Sequence, residues 1–177
     1  KEGRIFQAGS GALTTPETVT ATALVRQQPQ IYIRVPSSMV VVPLFASVSF
    51  EATGAVVNEV LVSAYNNDIG VTNAVATTPG NVNTRYATKA SGVTAYITVT
   101  GNTGTAPTGV VDLFRSYMQA DQDAITGAPT PPIIYNPFVG LGQLAIVGSA
   151  SGINTFAVHL ANGTSSTAFV ILTWAEF

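Results

Sequence analysis

Apolar and polar side chains alternate along this chain with a period of two, in short runs rich in Val, Thr, Ile, Tyr and Phe and cut by Gly, Pro, Asn and Ser. That is the pattern of half-buried strands, and apolar residues at helical spacing do not recur over any long window. In Gln30–Val35, Ile31, Ile33 and Val35 fall on one face and Tyr32 and Arg34 on the other. Met39–Ala52 is longer and contains Pro43, which cannot donate to a ladder and so marks an edge, a bulge or a strand start. Beyond it, Ala46, Val48 and Phe50 oppose Ser47, Ser49 and Glu51. Thr53-Gly54-Ala55 predicts a turn and Val56–Tyr65 the return strand, closed by Asn66-Asn67-Asp68. Thr18–Val25, Val93–Thr100, Gln143–Ser149 and Thr155–Ala161 predict further strands. Gly109–Met118 fits a strand, with Val111, Leu113 and Arg115 opposite Asp112, Phe114 and Ser116, or a short helix. Residues 69–92 predict one short strand and a long loop, and Asp121–Asn136, with its three prolines, another loop. In Thr167–Glu176 both alternating sets are apolar, so this strand is expected to lie centrally, covered on both sides.

These runs predict an all-β fold, a sandwich or barrel in one domain. The preferred topology is a single eight-stranded jelly-roll sandwich over residues 18–177; the period alone does not separate it from an immunoglobulin-like sandwich. Residues 1–17, rich in Gly, Thr and Ser, read as an extended N-terminal arm.

Composition adds one unusual feature. Charged residues make up 9% of the 177, against about 25% in an ordinary soluble domain. A lone monomer normally keeps a charged, patch-free surface. A surface of small uncharged residues desolvates at low cost and suits a subunit covered by neighbours. An extracellular β-domain with a Thr/Ser surface is the alternative. The seven Lys and Arg are scattered, so the basic cluster that direct nucleic-acid binding needs is missing. No apolar stretch is long enough for a transmembrane helix. With no Cys, disulfide and thiol chemistry are excluded.

Candidate chemistry is sparse. His159 is the one His; it sits in FAVHLAN opposite Phe156, Val158 and Leu160, with no G-x-S-x-G elbow in the chain, and reads as a strand-face residue. Asp121, Asp123 and Asp112 lack the Gly and Glu of a calcium loop. Glu51 and Glu59 flank the turn at Gly54 and would pair across a hairpin, but a glycosidase would bring more acids and exposed aromatics. Gly9-x-Gly11 and Gly140-x-Gly142 complete neither a dinucleotide fingerprint nor a P-loop. Pro129-x-x-Pro132 reads as a rigid loop, and Asn162-Gly-Thr as a hairpin turn before a sequon. No catalytic, cofactor-binding or metal-ligating residue is therefore assigned, and no cofactor and no enzyme activity are expected.

One stretch carries a family resemblance. Ile33-Arg-Val-Pro-Ser-Ser-Met-Val-Val-Val-Pro-Leu, followed by FASVSFEATGAVVNEVLVSAYNND, resembles the small jelly-roll capsid proteins of tailless icosahedral phages and related archaeal viruses. So does the ending FVILTWAEF, with Trp174, Ala175 and Glu176 in an aromatic-Ala-Glu closing strand. The similarity covers about residues 30–68 and 153–177. It implies a structural virion protein that joins copies of itself, and other capsid proteins, into capsomers; it leaves contact with an internal membrane open. The arm of residues 1–17 and the apolar edge Met39–Leu44 are the expected contact elements. Two other classes share the composition. One is a fibre or pilus subunit joined by donor strands, with Thr18–Val25 as the donor. The other is a capsid-decorating or glycan-binding sandwich using Tyr32, Tyr86 and Tyr96.

Overall fold

A computed structural model of the chain describes residues 4–12, 14–19, 21–52, 57–86, 88–98, 103–118, 131–161 and 166–177. The protein is all-β: two antiparallel sheets packed face to face, with two 3-10 turns and no α-helix among the described residues. In chain order the strands are β1 Arg4–Ser10, β2 Glu17–Thr18, β3 Ile31–Val35, β4 Val40–Ala52, β5 Asn58–Tyr65, β6 Val75–Thr77 and β7 Gly80–Asn81. Then come β8 Thr94–Ile97, β9 Val111–Met118, β10 Ile133–Tyr135, β11 Val147–Gly148, β12 Asn154–Ala161 and β13 Thr167–Glu176. The first sheet runs β10-β4-β13-β1-β7, with β11 added to β4 and β2 to β13; the second runs β6-β8-β3-β12-β5-β9. Among the described residues these are thirteen segments against the eight of the preferred topology, and β2, β6, β7, β10 and β11 are only two or three residues long.

The core lies between the sheets. Ile31, Ile33 and Val35 of β3, Val60 and Val62 of β5, and Phe156, Val158 and Leu160 of β12 meet Val48, Phe50, Val170, Leu172 and Trp174 from the first sheet. Period-two alternation delivers these residues to one face, as expected for β3, for β4 beyond Pro43 and for β12. Pro43 sits at an irregularity: Thr173 pairs with Phe45 but Trp174 with Pro43, so Leu44 is the extra residue of a bulge.

Four expectations need correcting. First, Arg4–Ser10 is not an arm. It pairs with β13 over its whole length, from Arg4 opposite Glu176 to Ser10 opposite Val170, and puts Phe6 and Ala8 into the core. Its Gly- and Ser-rich flank hid a strand whose buried positions are only Phe6, Ala8 and Ser10. Second, β4 and β5 do not form a hairpin. They lie in different sheets, β4 beside β13 and β5 between β12 and β9. Residues 53–56, where the turn was expected, lie outside the described residues. Glu51 and Glu59 consequently do not face each other. Third, among the described residues most of Thr18–Val25 is not strand: Glu17 and Thr18 pair with β13, and beyond them Ala21 makes an isolated bridge to Ala161. Fourth, β13 is central but not fully covered: Ala168, Val170, Leu172 and Trp174 are buried, while Phe169, Ile171 and Thr173 are partly exposed. The strand buried on both faces is β12.

Gly109–Met118 resolves as strand, and a bulge changes its face. Val62 pairs with Phe114 and Ser63 with Asp112, leaving Leu113 as the extra residue. Leu113, Phe114 and Met118 thus all reach the core, and Asp112 and Arg115 share the outer face. Strict alternation had separated those two residues.

Candidate functional site

The outer face of the second sheet explains why β12 is buried twice. Its central rows carry Ser63 and Tyr65 from β5, Thr155, Ala157 and His159 from β12, and Tyr32 from β3, all buried. Loop segments of the same chain close over them. Residues 21–30 run beside β12, tied at one end by an Ala21–Ala161 bridge and at the other by the Gln30 N–H donating to the Val158 carbonyl at 2.8 Å. Residues 66–74 bring Ile69 and Val71 onto Tyr32, Tyr65 and Ala157, forming a second, smaller apolar cluster. Thr155 Oγ1 donates to the Asn67 carbonyl at 2.8 Å, and the Val71 N–H donates to the Tyr32 hydroxyl at 3.2 Å.

A third segment stitches the first two together. The Gly104 N–H donates to the Gln27 carbonyl at 2.8 Å, and the Thr105 N–H to the Ile69 carbonyl at 2.6 Å. A Cβ on Gly104 would stand 2.1 Å from the Ile69 carbonyl oxygen, where only backbone movement gives room. Gly104→Ala is therefore expected to destabilise the fold by about 1–3 kcal/mol and to speed amide exchange at residues 69–71 and 27–30. Hydrogen exchange read by mass spectrometry checks it; unchanged protection in those segments would contradict the packing described.

At this cover lies the main cluster of titratable groups, with Tyr65 and His159 buried beneath it and Arg26 and Asp112 partly exposed at its rim. Arg26 makes a two-pronged bridge to Asp112, 2.5 and 2.7 Å, and Ser63 Oγ donates to Asp112 Oδ1 at 2.9 Å. Hydrogen bonding from Arg26 holds the Asp112 carboxyl below its ordinary value, and the same bond raises the Arg26 guanidinium. Tyr65 Oη and His159 Nε2 are 2.7 Å apart, with the rings edge to face. Burial pushes the Tyr65 hydroxyl up and the His159 imidazole down, from 6.5 to about 4, the nearby Arg26 charge adding to the latter. His159 Nδ1 has no hydrogen-bond partner among the described residues. Ser63 is bound to the carboxylate and His159 to the phenol, so the hydroxyl and the imidazole are not arranged as nucleophile and base. The cluster locks a loop onto a sheet. His159 does occupy the face opposite Phe156, Val158 and Leu160, but its own chain covers it.

The other residues weighed for function separate in space. Glu59 pairs with Arg115 at 3.1 Å. Tyr32 is buried and stacked on Tyr96 at 5.3 Å, and the Arg34 guanidinium lies 5.7 Å over the Tyr96 ring, so these tyrosines form no open platform. A cleft of about 180 Å³ beside Arg34 is lined by Pro36, Gly92, Thr94 and Ile153, but Arg34 is paired with Asp68. Met39–Leu44 is no free edge, since Val40 and Val41 pair with β11 on one side and Val41 to Pro43 with β13 on the other. The residues of the closing motif meet: Trp174 Nε1 donates to Glu176 Oε1 at 3.0 Å, and that buried carboxylate also accepts from Ser91 Oγ and from the Gly92 N–H. Gly140 ends a 3-10 turn in the left-handed region, and Gly142 lies against the Tyr135 ring. Asp121, Asp123, Pro129 and Asn162 lie outside the described residues. Among the described residues no group of three or more acidic or His side chains could hold a metal ion, and no helix is long and apolar enough to cross a membrane.

The one surface that the strand pattern did not reveal is an apolar side of the sandwich. Between β10 and β11 the chain passes from the edge of the first sheet to that of the second, where the Gln143 N–H donates to the Leu113 carbonyl of β9 at 2.9 Å. Along this loop Phe138 (65%), Val139, Leu141, Leu144 and Ile146 (74%) are exposed, and Val110 and Val111 of the neighbouring edge join them. Beside Ile146 opens a hollow of about 90 Å³, lined by Ala64, Val111, Ala145, Val147 and Asn154 among others. Asn154 is buried, and its Oδ1 has no hydrogen-bond partner among the described residues. A sequence signal does exist: no Asp, Glu, Lys or Arg occurs between Asp123 and Glu176.

No protein-family model matches this chain, and neither a curated protein nor a solved structure matches it.

Proposed function

We propose that this chain is a structural virion protein, an icosahedral capsid subunit with a jelly-roll fold that assembles with its own copies and with other capsid proteins. The observation that carries the reading is the pairing order. Taken in chain order, β1, β3, β4, β5, β9, β10, β12 and β13 form a nested series. The first pairs with the eighth, the second with the seventh, the third with the sixth and the fourth with the fifth. Successive pairs fall in alternate sheets, giving β10-β4-β13-β1 against β3-β12-β5-β9. This order supports a jelly-roll plan, in which one long antiparallel hairpin is wrapped into a barrel. On this reading β6 and β8 extend one sheet past β3, and β7 extends the other past β1.

Low charge and an apolar side support assembly over a solitary life in solution. The donor-strand alternative is weakened because its expected donor, Thr18–Val25, is tied to its own chain, Thr18 paired with β13 and Ala21 bridged to Ala161. The glycan-platform alternative is weakened by the burial of Tyr32. Sedimentation velocity of the purified chain over a wide concentration range tests the proposal. Discrete oligomers growing with concentration are expected; a monomer at every concentration would overturn self-assembly.

A further inference from the structure

The capsid reading names assembly but not the surface that performs it. The two elements that the sequence offers for this task, the N-terminal segment and Met39–Leu44, are both spent within the fold. Resting on that reading, we infer that the loop side of residues 137–146 is a self-association surface. In it the Pro137–Val139 turn of one copy seats in the hollow beside Ile146 of another.

Three observations point to a second copy as the occupant. The first is area. The exposures of the loop residues and of Val110 and Val111 correspond to on the order of 600 Å² of apolar surface. This is the upper end of what monomers leave uncovered and approaches the roughly 800 Å² that each partner buries in a stable interface. The second is charge. The loop carries no ionisable side chain, so two identical copies meet without a like-charge clash and without leaving a charge buried and unpaired. A partner chosen for opposite charge would find nothing there to read.

The third is shape. The surface carries both a knob and a hollow. Phe138 and Val139 project from a turn held rigid by Pro137, by Asn136 Oδ1 accepting from the Phe138 N–H at 2.9 Å, and by Gly140 at φ 76°. A pre-ordered turn loses little entropy on binding. The hollow has apolar walls of Ala64, Val111, Ala145 and Val147 and polar ones of Asn66 and Asn154, and the buried Asn154 Oδ1 can accept from a backbone N–H of an entering turn. A patch holding both halves of a contact is self-complementary: about a two-fold axis each copy gives its turn and receives the other's.

The chain has no Cys, so a disulfide formed by a single-Cys variant must join two copies. Phe138→Cys and Ile146→Cys are made separately, with Val82→Cys as control at a half-exposed site beyond the opposite edge of the first sheet. All three positions are exposed, and thermal unfolding near the wild-type midpoint establishes folding for each. Phe138→Cys and Ile146→Cys proteins are mixed, oxidised mildly and separated without reductant. The expected result is a covalent dimer at several times the control yield. Mass spectrometry of the joined peptides is expected to show the mixed disulfide, one copy of each variant, exceeding either homotypic link. A yield no higher than that of Val82→Cys overturns the inference. Sedimentation of the wild-type chain in parallel separates the two claims. Association without the enriched link discards this surface and leaves self-assembly standing, whereas absence of both discards both.

Discussion

Trp174→Ala is expected to remove about 3–5 kcal/mol of stability, a large share of the roughly 5–15 kcal/mol that holds an ordinary domain together. Trp174 is fully buried in the main core, 6.5 Å from the Phe6 ring across the β1–β13 ladder. Alanine there opens the largest cavity that any single truncation of the core could make. It also removes the indole N–H from the buried Glu176 carboxylate, which then keeps only Ser91 and Gly92 as donors. The two effects can be separated. Trp174→Phe retains most of the volume and loses the donor, and is expected to cost about 1–3 kcal/mol. Urea unfolding of the three proteins checks the order; equal stability of Trp174→Ala and wild type would mean that β13 is not the centre of the first sheet.

The second large effect is one of pH. His159 is held neutral by burial, its imidazole lowered from 6.5 to about 4, and it faces Tyr65 of β5, with Arg26 of the covering loop and Asp112 of β9 nearby. In the unfolded chain it takes up a proton near pH 6.5; in the folded chain it resists until about pH 4. The unfolded state therefore binds more protons across that window, and stability falls as the pH drops from 6.5 to 4. The loss sums to about 3 kcal/mol, at 1.36 kcal/mol per pH unit. Asp112, also lowered, adds a further loss beneath the ordinary aspartate range as its bridge to Arg26 is neutralised. His159→Gln keeps an acceptor for the Tyr65 hydroxyl but cannot titrate. It is expected to be less stable than wild type at pH 7.5 and to show a much flatter fall toward pH 4. Melting temperatures of both proteins at half-unit steps check this, and parallel curves would show that His159 carries none of the acid sensitivity.

Much of the sandwich was legible in the chain, because one rule produced it. Wherever one face of a strand meets the core and the other meets something more polar, period-two alternation names the buried set, as in Ile31, Ile33 and Val35. The rule fails where a bulge shifts the phase, as at Leu113, since one extra residue reverses every side chain beyond it. It fails again where both faces are covered: β12 is buried throughout because the 21–30 and 66–74 segments fold over it, and nothing in its own sequence says so. The segment 4–10 was hidden by small residues. Gly9 and Ser10 look like loop composition, yet both pair with β13, and the Ser10 hydroxyl accepts from the Val170 N–H at 3.2 Å.

The candidate site shows the same division. Charge content pointed to assembly, while the element that performs it is fixed by tertiary placement. Met39–Leu44 looks apolar and free in the sequence, and β11 and β13 cover it. Gln143–Ser149 looks like a strand, yet only Val147 and Gly148 pair, and bridging the edges of both sheets leaves the apolar side chains of Phe138 to Ile146 outside. Arg26 and Asp112, far apart in the chain, meet because the bulge in β9 turns Asp112 to the outer face and the ties at Ala21 and Gln30 lay the loop there.

Negative-stain electron microscopy of the purified chain at high concentration tests the central claim most directly. Closed shells, or rings of uniform diameter that a shell could be built from, are the predicted result. Linear filaments would point instead to donor-strand exchange, and a field of dispersed monomers would contradict the assembly account.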